Sequence, residues 1–99
     1  MITSKQRAYL RSLANGIDPI FQIGKGGIND NLIKQMNDTL EVREIIKVTV
    51  LETALLSAKE ACGKCAELTK SEPVQAIGSK FTLYRQARKP DDRKIVLPK

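Results

Sequence analysis

Two β-prone runs separated by one amphipathic stretch constrain this chain more than any other feature. Pro19-Ile20-Phe21-Gln22-Ile23 and Ile45-Ile46-Lys47-Val48-Thr49-Val50-Leu51 are rich in branched or aromatic residues, and between them Leu32, Ile33, Met36 and Leu40 recur at helical spacing. A strand, a helix and a strand of these lengths are most easily satisfied by parallel pairing, with the helix on one face of the sheet. Pro19 stands at the first position of its strand, where a missing N–H is tolerated. Asn29 or Asp30 supplies the cap of the intervening helix.

The flanks extend this βαβ unit. Thr3 with Gln6 reads as a capping box, followed by Ala8, Leu10, Leu13 and Ala14 along one side of a helix that Asn15-Gly16 can end. Ser57 with Glu60 makes a second box, and Ala58, Ala61, Cys62, Cys65, Ala66 and Leu68 give the third helix a narrow stripe of small apolar groups. Val74 to Ile77 and Phe81 to Tyr84 alternate around Gly78-Ser79, a hairpin signal. The order α-β-α-β-α-β-β predicts an α+β fold, a two-layer α/β sandwich with a four-stranded mixed sheet. Its second sheet face needs cover, for which the first helix is the candidate. With 99 residues the chain fits one compact domain. We expect a domain over 1–87 and a basic, Pro-interrupted tail over 88–99, partly mobile, in which Ile95-Val96-Leu97 can dock.

The net charge of +6 is unevenly spread: residues 1–34 carry +3, residues 35–79 carry −2, and residues 80–99 carry +5. If folding joins the two basic ends, they form one surface suited to a polyanion; a solubilising tail explains the same composition. No apolar run approaches the roughly 20 residues of a membrane span. The polar start Met1-Ile2-Thr3-Ser4-Lys5 lacks a secretory signal, so the cytoplasm is expected; a monomer is expected as well.

Gly24-Lys25-Gly26-Gly27 lies between the first strand and the second helix. Three glycines in four positions let the backbone turn without side chains blocking its N–H groups, ahead of a helix start carrying partial positive charge. Phosphate oxygens suit such a place, with Lys25 as a mobile cation; a plain tight turn is the other reading. A phosphate-binding P-loop is excluded, because Pro19 stands where its first glycine belongs and Gly26 follows the lysine. A dinucleotide fingerprint begins at Gly24-Lys25-Gly26 but has Asn29 at the third glycine, leaving Glu52 as a remote ribose-binding acid. The nearest mechanical analogue is the Gly-x-x-Gly backbone clamp of KH domains, which favours RNA.

Catalysis finds little support. The chain has no histidine, hence no ordinary general base near neutral pH. The acids, Glu41 and Glu44 among them, read as solvated helix faces. Cys62-Gly63-Lys64-Cys65 has redox spacing but falls mid-helix, and a zinc site would need two further ligands, so core cysteines are expected and no metal or cofactor. Tyr9 and Tyr84 are expected to pack rather than stack on bases.

Taken in order, Thr3-Ser4-Lys5-Gln6-Arg7-Ala8-Tyr9-Leu10-Arg11, Pro19 through Asn29, Glu44-Ile45-Ile46-Lys47-Val48, Ile77-Gly78-Ser79-Lys80-Phe81 and Leu83-Tyr84-Arg85 resemble the YhbY-type bacterial proteins that carry a stand-alone CRM domain. The resemblance implies a fold like the C-terminal domain of bacterial translation initiation factor three. It also implies RNA as ligand and association with precursor large ribosomal subunits during assembly. On the family pattern, the loop from Gly24 to Gly27 contacts RNA. Lys25 and the loop amides are then expected to bind phosphates, Lys5, Arg7, Arg11, Lys34 and Lys47 to widen the positive field, and Lys80, Arg85 and the tail to add contacts. Pro73 and Ala76 depart from the family's more β-branched strand and predict a shortened hairpin. A protein-interaction module riding on ribosomal proteins is the alternative.

Overall fold

The computed structural model describes residues 2–98. Helix α1 (Ser4–Ala14) starts at Thr3, whose hydroxyl accepts from the Gln6 amide at 3.1 Å while the Gln6 carboxamide returns the bond at 2.9 Å. Strand β1 (Phe21–Ile23) leads to helix α2 (Asp30–Arg43), then strand β2 (Ile45–Val50) and helix α3 (Ala58–Thr69). Strands β3 (Glu72–Ile77) and β4 (Lys80–Tyr84) form the hairpin, and short 3-10 turns occupy Glu52–Ala54 and Pro90–Asp92. The sheet order is β1-β2-β4-β3, with β1 parallel to β2 and the other pairs antiparallel. Both edges are therefore β1 and β3. Among the described residues no helix is long and apolar enough to cross a membrane.

Alternation along β2 sorts the two cores. Ile46, Val48 and Val50 join Phe81 and Leu83 of β4 under α2 (Met36, Leu40) and α3 (Ala61, Cys62, Cys65). The small side chains of α3 allow its backbone to lie close to the sheet. On the opposite face Leu10 of α1 packs with Val74 and Tyr84, flanked by half-buried Ile2, Leu13, Ile45, Ile95 and Leu97. Helix α1 thus covers the second face, together with the end of the chain. The tail residues are anchored at Ile95 and Leu97, while Val96 is exposed.

Three expectations are corrected. Strand β1 is shorter than the Pro19–Ile23 run: Pro19 has no N–H to give, and pairing begins with the Ile20 amide donating to the Lys47 carbonyl at 3.0 Å. The hairpin is not shortened, because β3 is an edge strand and accommodates Pro73 through an irregularity between Pro73 and Gln75. Glu44 is not a solvated acid but fully buried. It occupies a left-handed conformation (φ 67°) at the end of α2, and its carboxylate accepts the amides of Ala87 (2.8 Å), Lys94 (2.5 Å) and Ile95 (2.9 Å). Glu41, half-buried, accepts the Arg88 amide at 2.7 Å.

Candidate nucleic-acid interface

The glycine segment closes as a tight turn at the end of the sheet where β1 and β2 finish. The Gly27 amide donates to the Gly24 carbonyl at 2.9 Å, and Gly27 takes φ +66°, a conformation that favours glycine. Gly24 packs against the next connection, since a Cβ there would lie 3.4 Å from Leu51 Cδ1 and 3.5 Å from Thr53 Oγ1. Gly26 is open: its Cβ would meet nothing nearer than Asn29 Nδ2 at 3.8 Å. Lys25 and Gly26 are both exposed.

One of the turn's amides is consumed internally. The backbone N–H groups of Lys25, Gly26 and Ile28 have no hydrogen-bond acceptor among the described residues. They precede the start of α2, where Asn29 Oδ1 accepts the Leu32 amide at 2.8 Å. Asn29 therefore serves the cap, as its position suggests, and leaves the three preceding donors uncommitted. Asp30 in the first turn offsets part of the helix dipole, so the anion-attracting character rests mainly on the amides and on Lys25.

The expected cations fall into three groups. Lys34, exposed in the first half of α2, lies toward the turn. Lys80 opens β4 at the same sheet end, because the Leu51 amide bonds the Ile23 carbonyl (2.8 Å) and the Val50 amide bonds the Ser79 carbonyl (2.6 Å). Helix α1 carries a second group on the other face: Lys5 and Arg11 are exposed, and Arg7 is half-buried beside Cys62, Gly63 and Pro73. Lys47 Nζ donates to the Ala14 carbonyl at 3.1 Å, closing the C-terminus of α1. Arg85 stands apart from all of these, one residue beyond β4 at the far end, roughly 17 Å of strand from Lys80. Its guanidinium donates to Asn37 Oδ1 (2.6 Å), the Asn37 carbonyl (2.9 Å) and the Thr69 carbonyl (2.7 Å), tying α2 to α3. Burial lowers its pKa against the opposing pull of Glu41, whose carboxylate is 3.8 Å away. This arginine is spent on the fold.

Cys62 and Cys65 are buried free thiols in the main core, and burial pushes each up to about 11. Among the described residues no three His, Cys, Asp or Glu side chains cluster as a metal site. Tyr84 is buried in the second core and Tyr9 is at the edge of exposure.

Residues 2–85 match the CRS1 / YhbY (CRM) domain. The chain is 42% identical over 98 residues to the probable RNA-binding protein YqeI of Bacillus subtilis, covering 99% of this chain and 100% of that one. It is 28% identical over 98 residues to an RNA-binding protein of Haemophilus influenzae, covering 99% and 96% respectively. Its fold is similar to the solution structure of the hypothetical protein SAV1595 from Staphylococcus aureus, with a TM-score of 0.75 and 51% identity over 99% of this chain and 100% of that one.

Proposed function

The chain belongs to the CRS1 / YhbY (CRM) domain family, and on that premise we propose that it binds RNA by receiving backbone phosphates at the Gly24–Gly27 turn. The observation that carries this reading is the run of uncommitted amides at Lys25, Gly26 and Ile28 beside an exposed lysine and a helix start. Such donors bind an anionic strand through charge-assisted hydrogen bonds, without a side chain that must first be ordered. Lys34 and Lys80 extend the field at that sheet end, and Lys5, Arg7 and Arg11 continue it over α1. Relatives named as RNA-binding proteins support the ligand class. The finer assignment rests on the sequence resemblance: a cytoplasmic, monomeric, non-enzymatic factor that needs no cofactor and acts on large-subunit ribosomal RNA or its precursor during assembly.

Two substitutions test the turn. Lys25→Ala should weaken binding about equally for all RNA sequences and reduce the slope of log affinity against log salt by about one phosphate contact. Gly26→Ala meets no protein atom closer than 3.8 Å, so it should leave stability nearly unchanged while its methyl group obstructs the strand. Wild-type protein that ignores naked ribosomal RNA at every salt concentration, yet captures ribosomal proteins, would make it a protein-interaction module instead.

A further inference from the structure

Phosphate contacts alone do not distinguish bases, and the sheet face opposite α2 and α3 carries a concavity away from the glycine turn. Lys47, Thr82 and Gln75 are direct cross-strand neighbours in one row over β2, β4 and β3, and Thr49, Lys80 and Ile77 form the next row on the same face. Asn15, just past α1, closes a concavity of about 280 Å³ over Lys47, Gln75, Ile77, Lys80 and Thr82. That volume is at the small end of ligand pockets, roughly 300 Å³, and suits a single nucleotide.

The irregularity in β3 is what builds it. Pro73 pairs with Leu83 and Gln75 with Thr82, so Val74 is an extra residue. Without it, Gln75 would stand opposite Phe81 and turn toward the main core, since a one-residue slip exchanges the faces of a strand. With it, Gln75 shares the α1 face with Thr82. Thr82 is fully buried at this wall, and its Oγ1 has no hydrogen-bond partner. A buried hydroxyl without a partner is uncommon enough to need a cause. Lys47 is held at the rim by the Ala14 carbonyl, Lys80 is exposed, and no acid lines the pocket. Ile77 is 68% exposed and offers an apolar wall.

We infer that this pocket receives one unstacked nucleotide of the single-stranded RNA whose phosphates lie on the Gly24–Gly27 turn, with the Asn15 and Gln75 carboxamides meeting the base edge. This rests on the RNA reading proposed above. Carboxamides carry donor and acceptor together and can match a base edge, whereas an acidic peptide would use only the two lysines. Continuity favours the same strand. The Ile23–Leu51 and Val50–Ser79 hydrogen bonds set the turn and the hairpin bend side by side, two strand spacings or roughly 10 Å apart. Between turn and pocket, exposed Gly78 and Ser79 present little side-chain bulk.

Fluorescence anisotropy with single-stranded decamers of A, C, G and U tests it. Wild type should prefer one base over the poorest by about five- to a hundredfold. Asn15→Ala/Gln75→Ala should reduce that ratio below about threefold at an unchanged salt slope, whereas Lys25→Ala should lower all four affinities and keep the ratio. Should the double variant not fold, Gln75→Glu on the edge strand must abolish the preference on its own. In parallel, the side-chain amide NMR signals of Asn15 and Gln75 should shift on titration with nucleoside monophosphates. Equal affinity for all four decamers, a preference that survives both variants, or amide signals that answer polyglutamate but no nucleotide overturns the pocket while leaving Lys25-dependent binding intact. Absence of binding to any decamer removes the RNA reading and the pocket together.

Discussion

Replacing Glu44 should be among the most damaging single changes outside the main core. Its carboxylate accepts three backbone amides from residues 43 to 51 positions later, so Glu44→Ala strands all three donors at once. Ala87 is fully buried, and an unpaired buried amide costs about 1–3 kcal/mol. The Lys94 and Ile95 amides can regain water if the tail lifts, but that exposes Ile95 and Leu97, at about 2 kcal/mol for two half-buried side chains. A loss of about 4 kcal/mol follows, or roughly 16–32 °C in Tm for a domain of this size. Glu44→Gly should be milder than alanine by about 1 kcal/mol, because φ 67° costs glycine nothing. Glu44→Gln should fall between, since its amide nitrogen or oxygen can satisfy only part of the set.

The pH dependence adds an independent check. Burial pushes the Glu44 carboxyl up, but the amides of Ala87, Ile95 and Lys94 and the charge of Arg93 outweigh it and hold the folded pKa below the ordinary 4.5. A depressed folded pKa means that this stabilisation is complete above the unfolded value and is lost as pH falls below about 4.5 through the folded one. Urea denaturation from pH 3 to 7 should therefore show an acid limb that flattens in Glu44→Gln. A Gln variant within about 0.5 kcal/mol of the parent at pH 7, with the same acid limb, would falsify the clasp.

Gly27→Ala should cost about 1 kcal/mol by thermal denaturation, all of it from φ +66°, because no atom lies within 4 Å of the new methyl group. Arg85→Lys should destabilise by about 2–4 kcal/mol in urea, since a lysine cannot span the Asn37 and Thr69 acceptors, while RNA affinity of the folded fraction stays at the parent value. A drop in affinity without loss of stability would put Arg85 in the interface instead. Cys62 and Cys65, with thiols pushed up to about 11, should resist thiol-specific reagents at pH 8 in the native state and react promptly in denaturant.

Local signals settled most of the architecture. Thr3 with Gln6 and Ser57 with Glu60 form reciprocal caps that need only four consecutive residues, and both helices begin where those residues stand. The spacing of Leu32, Met36 and Leu40 and the alternation in Ile45–Val50 define buried faces by period alone, and the short span between the strands leaves parallel pairing as the simple solution. The turn at Gly24–Gly27 was legible for the same reason: its conformational freedom belongs to glycine, not to its surroundings.

What remained hidden depends on partners far along the chain. Glu44 looks like any acid at a helix end until Ala87, Lys94 and Ile95 bring their amides to it, and Arg85 looks like a free cation until Asn37 and Thr69 surround its guanidinium. Which face Gln75 takes is set by the register slip at Val74, which puts it beside Thr82 and Lys47. Periodicity reports which groups leave water, because that preference is a property of each residue. Which charge is neutralised, and by which distant donor, is a property of pairs, and only the folded chain brings the pairs together.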